Sequence, residues 1–133
     1  MCLQIKAMGF IDAQAFLGRA MDPPTPRAVE SAIQTLRDVQ ALEPDGSLSP
    51  LGQHLAKLPV DPHVGKMLIL AAVFCCLDPV LTIAACCSYK QPFAGGIDKR
   101  AQVDAARRAF AGSEPSSDLL LLAKAYEGWE AEL

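Results

Sequence analysis

A run of 21 mostly apolar residues, 67–87, constrains the fold more than any other feature of the sequence. Its length is that of a membrane-spanning helix. Asp78-Pro79 lies near its middle, however, and would place a charge and a helix break at the centre of a bilayer. The run therefore predicts two helices buried in a protein interior, over residues 62–76 and 79–88, and not a membrane span.

Prolines that follow a capping side chain predict where several helices begin. The pairs that mark predicted helix starts are Thr25-Pro26, Ser49-Pro50, Asp61-Pro62 and Asp78-Pro79. After Pro26, Val29, Ile33 and Leu36 recur with the helical period, which makes this the clearest amphipathic helix. Ala and Leu dominate the composition while Val and Ile are sparse, and this balance also favours helices over sheet.

Residues 41–49 predict a small β-hairpin, because two short apolar runs flank an Asp45-Gly46 turn. The order helix, helix, hairpin, helix is the outline of a winged helix. The helices that follow are apolar nearly all round, so we expect them to form the interior of a bundle. The expected core residues of the apolar run are Leu68, Ala71, Ala72, Phe74, Cys75, Leu81, Ile83, Ala84 and Cys87.

The charge balance argues against a free-standing nucleic-acid binder. Twelve Lys and Arg stand against 15 Asp and Glu, which gives a formal net charge of -3. Binding to nucleic acid through bulk electrostatics needs the opposite sign. Any contact with nucleic acid must therefore come from a local basic patch.

The five cysteines predict buried free thiols. Four of them form two adjacent pairs, Cys75-Cys76 and Cys86-Cys87, and no Cys-x-x-Cys spacing occurs. An odd count without a secretory segment argues against a disulfide framework, and the spacing does not fit a zinc site. We therefore expect no metal and a reducing compartment.

The sequence lacks the common catalytic motifs. It carries no phosphate-binding loop, no dinucleotide-binding glycine pattern and no nucleophile elbow. His54 and His63 have no acid or nucleophile at a spacing that suggests a catalytic triad. We expect no catalytic residues and no catalysis by this chain alone.

Basic residues near a helix predicted over residues 98–111 are the main candidates for nucleic-acid contacts. They are Lys90, Lys99, Arg100, Arg107 and Arg108. Three of them, Arg100, Arg107 and Arg108, fall on one helical face. Asp104 lies four residues from both Arg100 and Arg108, so an intrahelical ion-pair ladder explains the cluster as well as phosphate contacts do. Both interpretations stay open at the level of sequence.

Ser117 marks a second candidate, at the start of the last predicted helix. Free backbone N–H groups at such a start can hold a phosphate. The neighbouring Asp118 is more simply explained as an acid that compensates the helix dipole.

Seven segments in a fixed order resemble the helicase-associated region of DEAH-box RNA helicases of the RNA helicase A-like group. They are Leu3-Gln4-Ile5-Lys6; Phe16-Leu17 with Ala20 and Asp22-Pro23-Pro24; Leu48-Ser49-Pro50-Leu51-Gly52; Leu58-Pro59-Val60-Asp61-Pro62 with Gly65-Lys66; Cys76-Leu77-Asp78-Pro79 with Leu81-Thr82-Ile83-Ala84-Ala85; Lys90 with Pro92-Phe93; and Ser117-Asp118 with Gly128-Trp129.

The resemblance implies a mainly α protein with a winged-helix domain over residues 1–60 and a partial ratchet bundle over 61–133. In the family this region follows two RecA-like lobes that bind ATP and Mg²⁺, so the chain would be a fragment without a cofactor of its own. It would dock on those lobes and help to move single-stranded RNA, inside the nucleus or the cytoplasm and without a membrane. The family commonly has His where this chain has Leu119, so any contact made by that imidazole is lost.

A standalone winged-helix module that binds DNA or a protein partner is the alternative. A DNA-reading helix needs a basic outer face. The helix after Pro26 instead balances Arg27 and Arg37 with Glu30 and Asp38, which lowers the DNA-binding alternative. A purely protein-binding helical module fits the net charge and stays open.

Overall fold

The computed structural model describes residues 1–10, 12–89, 92–93, 95, 97–111 and 117–133. This part of the chain is mainly helical, as predicted, and it divides into two compact units: unit 1, Met1–Lys66, and unit 2, Met67–Leu133. The helices are α1 (Cys2–Ala7), α2 (Ala13–Leu17), α3 (Pro26–Asp38), α4 (Pro50–Leu55), α5 (Pro62–Val73), α6 (Leu77–Ser88), α7 (Arg100–Ala111) and α8 (Asp118–Glu130), with a 3₁₀ turn at Ile97–Lys99 before α7.

The core of unit 1 lies where α1, α2 and α3 meet. Its buried members are Ile5, Ala13, Leu17 and Val29. The ends of these helices follow the sequence closely, because the carboxylate of Asp12 accepts the first amides of α2 and the hydroxyl of Thr25 accepts the amide of Ala28 in α3. Local capping thus sets where the helices begin, and burial of one face of each holds them together.

The predicted β-hairpin is wrong. Within the described residues the segment forms a single antiparallel bridge, between Leu42 and Leu48. Its apolar runs are too short for a ladder, because α3 ends at Asp38 and α4 begins at Pro50. Pro44 also has no N–H to donate to a partner strand.

Ser49 and Gly52 fix the start of α4 against the preceding segment. The buried Ser49 hydroxyl donates to the carbonyl of Gln40 at 2.7 Å and accepts the Gly52 amide at 2.9 Å. A Cβ at Gly52 would clash with the carbonyl oxygen of Ala41 and would lie 2.9 Å from its carbonyl carbon. The close approach of two backbones at this point therefore requires glycine.

The apolar run forms two helices, as predicted, although their ends differ from the prediction. α5 ends at Val73, and Cys75 just beyond it has a left-handed φ of 55°. α6 begins at Leu77 with Cys76 as its N-cap, so Asp78 lies in the first turn and does not cap the helix as predicted. Proline is compatible with any position of the first turn, because an N–H there has no intrahelical acceptor. Pro79 therefore indicates that a helix begins nearby but does not identify its first residue.

Burial along the apolar run is much less complete than predicted. Ala71, Ile83 and Ala84 are buried, and Leu68 is partly buried. The other five predicted core residues are exposed: Ala72, Phe74 (73%), Cys75, Leu81 (49%) and Cys87. The physical reason is coverage, because within unit 2 α8 packs on α6 and α7, and this packing covers only part of each apolar helix.

The cysteines are free thiols, as predicted, but the prediction that they are buried is wrong. All five thiols are free. Cys75, Cys76 and Cys87 are exposed, while Cys2 and Cys86 are partly covered. In the described part of the chain, no helix combines the length and the hydropathy needed to cross a bilayer.

Candidate nucleic-acid interface

Helix α7 carries three of the six predicted contact residues, and its amphipathic pattern decides which side of the helix they occupy. Val103 and Ala106 are partly buried on one side of the helix, whereas Arg100 and Arg108 are exposed. Lys99, in the 3₁₀ turn before α7, is exposed as well. Residues 98–108, which we call the basic segment, hold four cationic side chains against two acids, Asp98 and Asp104. This local excess is the kind of patch that the acidic chain needs for nucleic-acid contact.

Arg107 differs from its neighbours because it is held by contacts inside unit 2. Its Nη2 donates to Oδ1 of Asp118 at 3.0 Å, an ion pair whose side chains are 41% and 85% exposed respectively. Its guanidinium also lies 5.9 Å from the ring centre of Phe93. The pair joins α7 to the first turn of α8, so the structure places Arg107 as a link between helices.

The structure does not contain the intrahelical ladder that the sequence leaves open. Among the described residues, Asp104 forms no ion pair with Arg100 or Arg108. Both arginines present their guanidinium groups to solvent, where a phosphate could reach them. The cluster thus contains one arginine held by an ion pair, Arg107, and two exposed arginines outside any ion pair of the described residues.

At the start of α8 the predicted cap is present. The Ser117 hydroxyl accepts the Leu119 amide at 3.3 Å, so this N–H group already has a partner. Asp118 follows in the first turn and pairs with Arg107, which adds negative charge where a phosphate would sit. This geometry makes Ser117 a weaker phosphate candidate than the exposed arginines.

Lys90 lies outside the described residues. Sequence reasoning missed Phe93 as the aromatic partner of Arg107, although a proline and an aromatic residue close before a basic helix were available as a signal. It also missed Lys124, whose ammonium donates to the carbonyl of Ala111 at 3.4 Å and ties α8 to the end of α7.

Metal-ligating residues do not converge in the described ranges. No group of three or more His, Cys, Asp or Glu side chains that could hold an ion occurs there.

Comparison with known protein families decides what kind of domain this is. Residues 32–60 match the winged-helix model of the helicase-associated domain, and residues 61–122 match the ratchet-like model of the same domain. The chain belongs to the helicase-associated region of the DEAH-box helicases. This assignment confirms the resemblance seen in the sequence segments.

Individual relatives agree with the family assignment. The chain is 49% identical over 130 residues to the ATP-dependent DNA/RNA helicase DHX36 of Rattus norvegicus, covering 98% of this chain and 13% of the relative. It is 45% identical to the DExH-box ATP-dependent RNA helicase DExH3 of Arabidopsis thaliana, covering 98% of this chain and 11% of that protein. It is 41% identical to the putative ATP-dependent RNA helicase DHX57 of Homo sapiens, covering 98% of this chain and 10% of that protein. The chain thus spans only a small part of the length of these relatives.

Proposed function

We propose that this chain is the accessory region of an ATP-dependent DEAH-box RNA helicase, in which it helps to grip and translocate single-stranded RNA during unwinding. The observation that carries the proposal is the match of residues 32–60 and 61–122 to the two helicase-associated models. The relatives are named ATP-dependent DNA/RNA or RNA helicases, which supports an ATP-driven motor and a substrate that includes RNA. The proposed location is intracellular, nuclear or cytoplasmic. The RecA-like lobes of the same helicase are the proposed binding partner.

The proposed division of labour places a winged-helix domain at residues 1–60 and a partial ratchet bundle at 61–133. The two family matches meet between residues 60 and 61, which supports this boundary. In this proposal the RecA-like lobes bind ATP and Mg²⁺. The chain contributes RNA-contacting surface and transmits the movement of the lobes, and it supplies no catalytic group.

Within the basic segment, Arg100 and Arg108 are the proposed phosphate contacts. Both are exposed and lie outside any ion pair of the described residues. Lys99 is exposed beside them and extends the same contact surface, and Lys90 stays a sequence prediction. Arg107 and Ser117 have the indirect role of holding α7 and the start of α8, since each is engaged in a contact there.

The test is a double substitution, Arg100→Gln with Arg108→Gln, in the helicase that carries this region. Each lost phosphate contact on a single strand should flatten the dependence of log K on log[salt] by about 0.7, so we expect a change of about 1.4 together with slower unwinding. The matched control is Arg27→Gln with Arg37→Gln, which removes two exposed arginines from α3. An unchanged salt slope in the first variant, or equal slopes in both, would contradict the proposed contact.

We also expect the isolated chain to bind single-stranded RNA weakly and less tightly as salt rises, because only three exposed cations, Lys99, Arg100 and Arg108, lie together on the basic segment. Fluorescence anisotropy with a labelled oligonucleotide at two salt concentrations measures this. Tight binding that salt does not weaken would contradict the expectation. Preference for duplex DNA would instead revive the standalone winged-helix alternative, which the family matches do not favour.

A further inference from the structure

The segment that leads into α3 is exposed and ends at Thr25, which has extended backbone directly before Pro26, the first residue of α3. Thr25 has φ -62° and ψ 145°, and every residue from Met21 to Ala28 is exposed. Protein kinases bind their substrate segments in extended form, and the proline-directed class requires proline directly after the acceptor hydroxyl. Pro23-Pro24-Thr25-Pro26 supplies this dipeptide with its acceptor residue in extended backbone, and Pro26 is the first residue of α3.

Only two Ser-Pro or Thr-Pro pairs occur in the sequence, and the structure separates them sharply. Ser49 is 6% exposed, and its hydroxyl both donates to the carbonyl of Gln40 and accepts the amide of Gly52. The Thr25 hydroxyl accepts the Ala28 amide at the longer distance of 3.3 Å and donates to no described residue. A kinase that recognises the dipeptide can therefore reach Thr25 and cannot reach Ser49 in the folded chain.

The first turn of α3 also lacks the negative charge that helix starts favour. It contains no acidic residue and carries Arg27 instead. A cation there is unfavourable with the positive end of the helix dipole. A phosphate at the N-cap would supply a charge of about -2 and three acceptor oxygens close to the first-turn amides and to Arg27.

We propose that Thr25 is the acceptor for a proline-directed serine/threonine kinase, and that phosphorylation reinforces the start of α3. In this reaction Oγ1 of Thr25 forms a bond to the γ-phosphorus of ATP, and the bond from that phosphorus to the β,γ-bridging oxygen breaks. ADP leaves, and the hydroxyl proton passes to the catalytic aspartate of the kinase and from there to solvent. The inference is independent of the proposed RNA contacts, because it concerns a different element and a different chemistry.

The experiment treats the full 133-residue chain with an active proline-directed kinase and Mg-ATP, followed by mass spectrometry of intact protein and of fragments. We expect one phosphate, located on Thr25, and loss of incorporation in Thr25→Ala and in Pro26→Ala. Two synthetic peptides, of residues 20–30 and 44–54, report whether the kinase accepts each dipeptide outside the fold. We expect both peptides to be labelled and only Thr25 to be labelled in the folded chain.

Hydrogen exchange then tests the consequence for α3. The amides of the first turn, near Ala28 and Val29, should exchange more slowly in the phosphorylated chain than in the untreated one. Faster exchange there would overturn the stabilising role. Labelling of Ser49 in the folded chain, an unlabelled 20–30 peptide, or a labelled peptide beside an unlabelled folded chain would each overturn the assignment of Thr25.

Discussion

Units 1 and 2 contain similar helices yet differ in how completely they bury their apolar side chains. In unit 1, α1, α2 and α3 bury a shared core, and the segment after α3 closes on α4 through the Ser49 hydroxyl. In unit 2 the large side chains of Phe74, Leu81 and Trp129 are substantially exposed. Apolar composition alone therefore does not create a core, since coverage by neighbouring elements is also needed.

The largest expected effect comes from the backbone contact at Gly52 in unit 1. Gly52→Ala would force a methyl group against the carbonyl of Ala41, and we expect it to lower the free energy of unfolding by upwards of about 4 kcal/mol. Gly18→Ala is the matched control, because its new Cβ would lie 3.4 Å from the nearest atom, an ordinary contact. We expect the control to change stability by less than about 0.5 kcal/mol in urea unfolding. Equal effects of the two substitutions would contradict the close packing of α4.

Truncation of one leucine in each unit tests the difference in burial directly. Leu36→Ala removes a buried side chain of α3 and should cost about 3 kcal/mol. Leu120→Ala removes an exposed side chain of α8 and should cost less than about 1 kcal/mol. Chemical unfolding monitored by circular dichroism measures both. A larger effect at Leu120 would show that α8 is covered in solution in a way this structure does not show.

Hydroxyl removal extends the comparison to helix starts. Ser49→Ala leaves the carbonyl of Gln40 and the amide of Gly52 without their partner in a buried site, and we expect a loss of about 2 kcal/mol. Ser117→Ala removes an exposed cap whose hydrogen bond is longer, and about 0.5 kcal/mol should be lost. Thermal unfolding of the two variants under one condition gives the ranking. Equal losses would mean that burial adds nothing to the Ser49 cap.

Sequence reasoning succeeded where a structure depends on neighbouring residues and failed where it depends on distant ones. The caps Thr25 and Ser117 and the apolar face of α3 follow from spacing within one turn or one helix, so they could be predicted. The exposure of Phe74 depends on which helix lies over it, and no local pattern carries that information. The single bridge between Leu42 and Leu48 depends on how many residues lie between α3 and α4. Predicting it requires the ends of both helices to be known to within one residue.

The candidate interface shows the same division. A cluster of cations over residues 98–108 is visible in the sequence, and so is its position on a helix. Arg107 and Asp118, however, are 11 residues apart, and their pairing depends on α7 packing against α8. The structure was therefore needed to distinguish Arg107, which is held by an ion pair, from the exposed Arg100 and Arg108.

The Arg107 ion pair should contribute little to the stability of unit 2. Both side chains are considerably exposed, so Arg107→Ala should lower the free energy of unfolding by less than about 1 kcal/mol, and high salt should reduce the effect further. Arg108→Ala is the matched control, because Arg108 is adjacent, exposed and unpaired among the described residues. A loss well above this range at Arg107 would show that the link between α7 and α8 is a main support of unit 2.

The smallest effect concerns the turn at Asp45 in unit 1. The Ser47 hydroxyl donates to the Asp45 carboxylate at 2.6 Å and the Ser47 amide donates at 2.9 Å, and these two bonds hold the pKa of Asp45 below its ordinary value. A carboxyl whose pKa is lowered by folding stabilises the folded state above its ordinary pKa, and this contribution is lost as the pH falls through the lowered value. We therefore expect protection of the Ser47 amide from hydrogen exchange, measured relative to the intrinsic rate at each pH, to fall with acidification over that range.

Substitution of the hydroxyl distinguishes its part in this shift from that of the backbone. Ser47→Ala keeps the backbone donor and removes the shorter hydrogen bond, so the pKa of Asp45 should rise part of the way towards its ordinary value in an NMR titration. Ser31→Ala, on the exposed side of α3, should leave the Asp45 titration unchanged. If Ser47→Ala also leaves it unchanged, the backbone amide alone sets the charge state of the turn. The Ser47 hydroxyl would then have no effect on the pKa of Asp45, although its hydrogen bond is the shorter of the two.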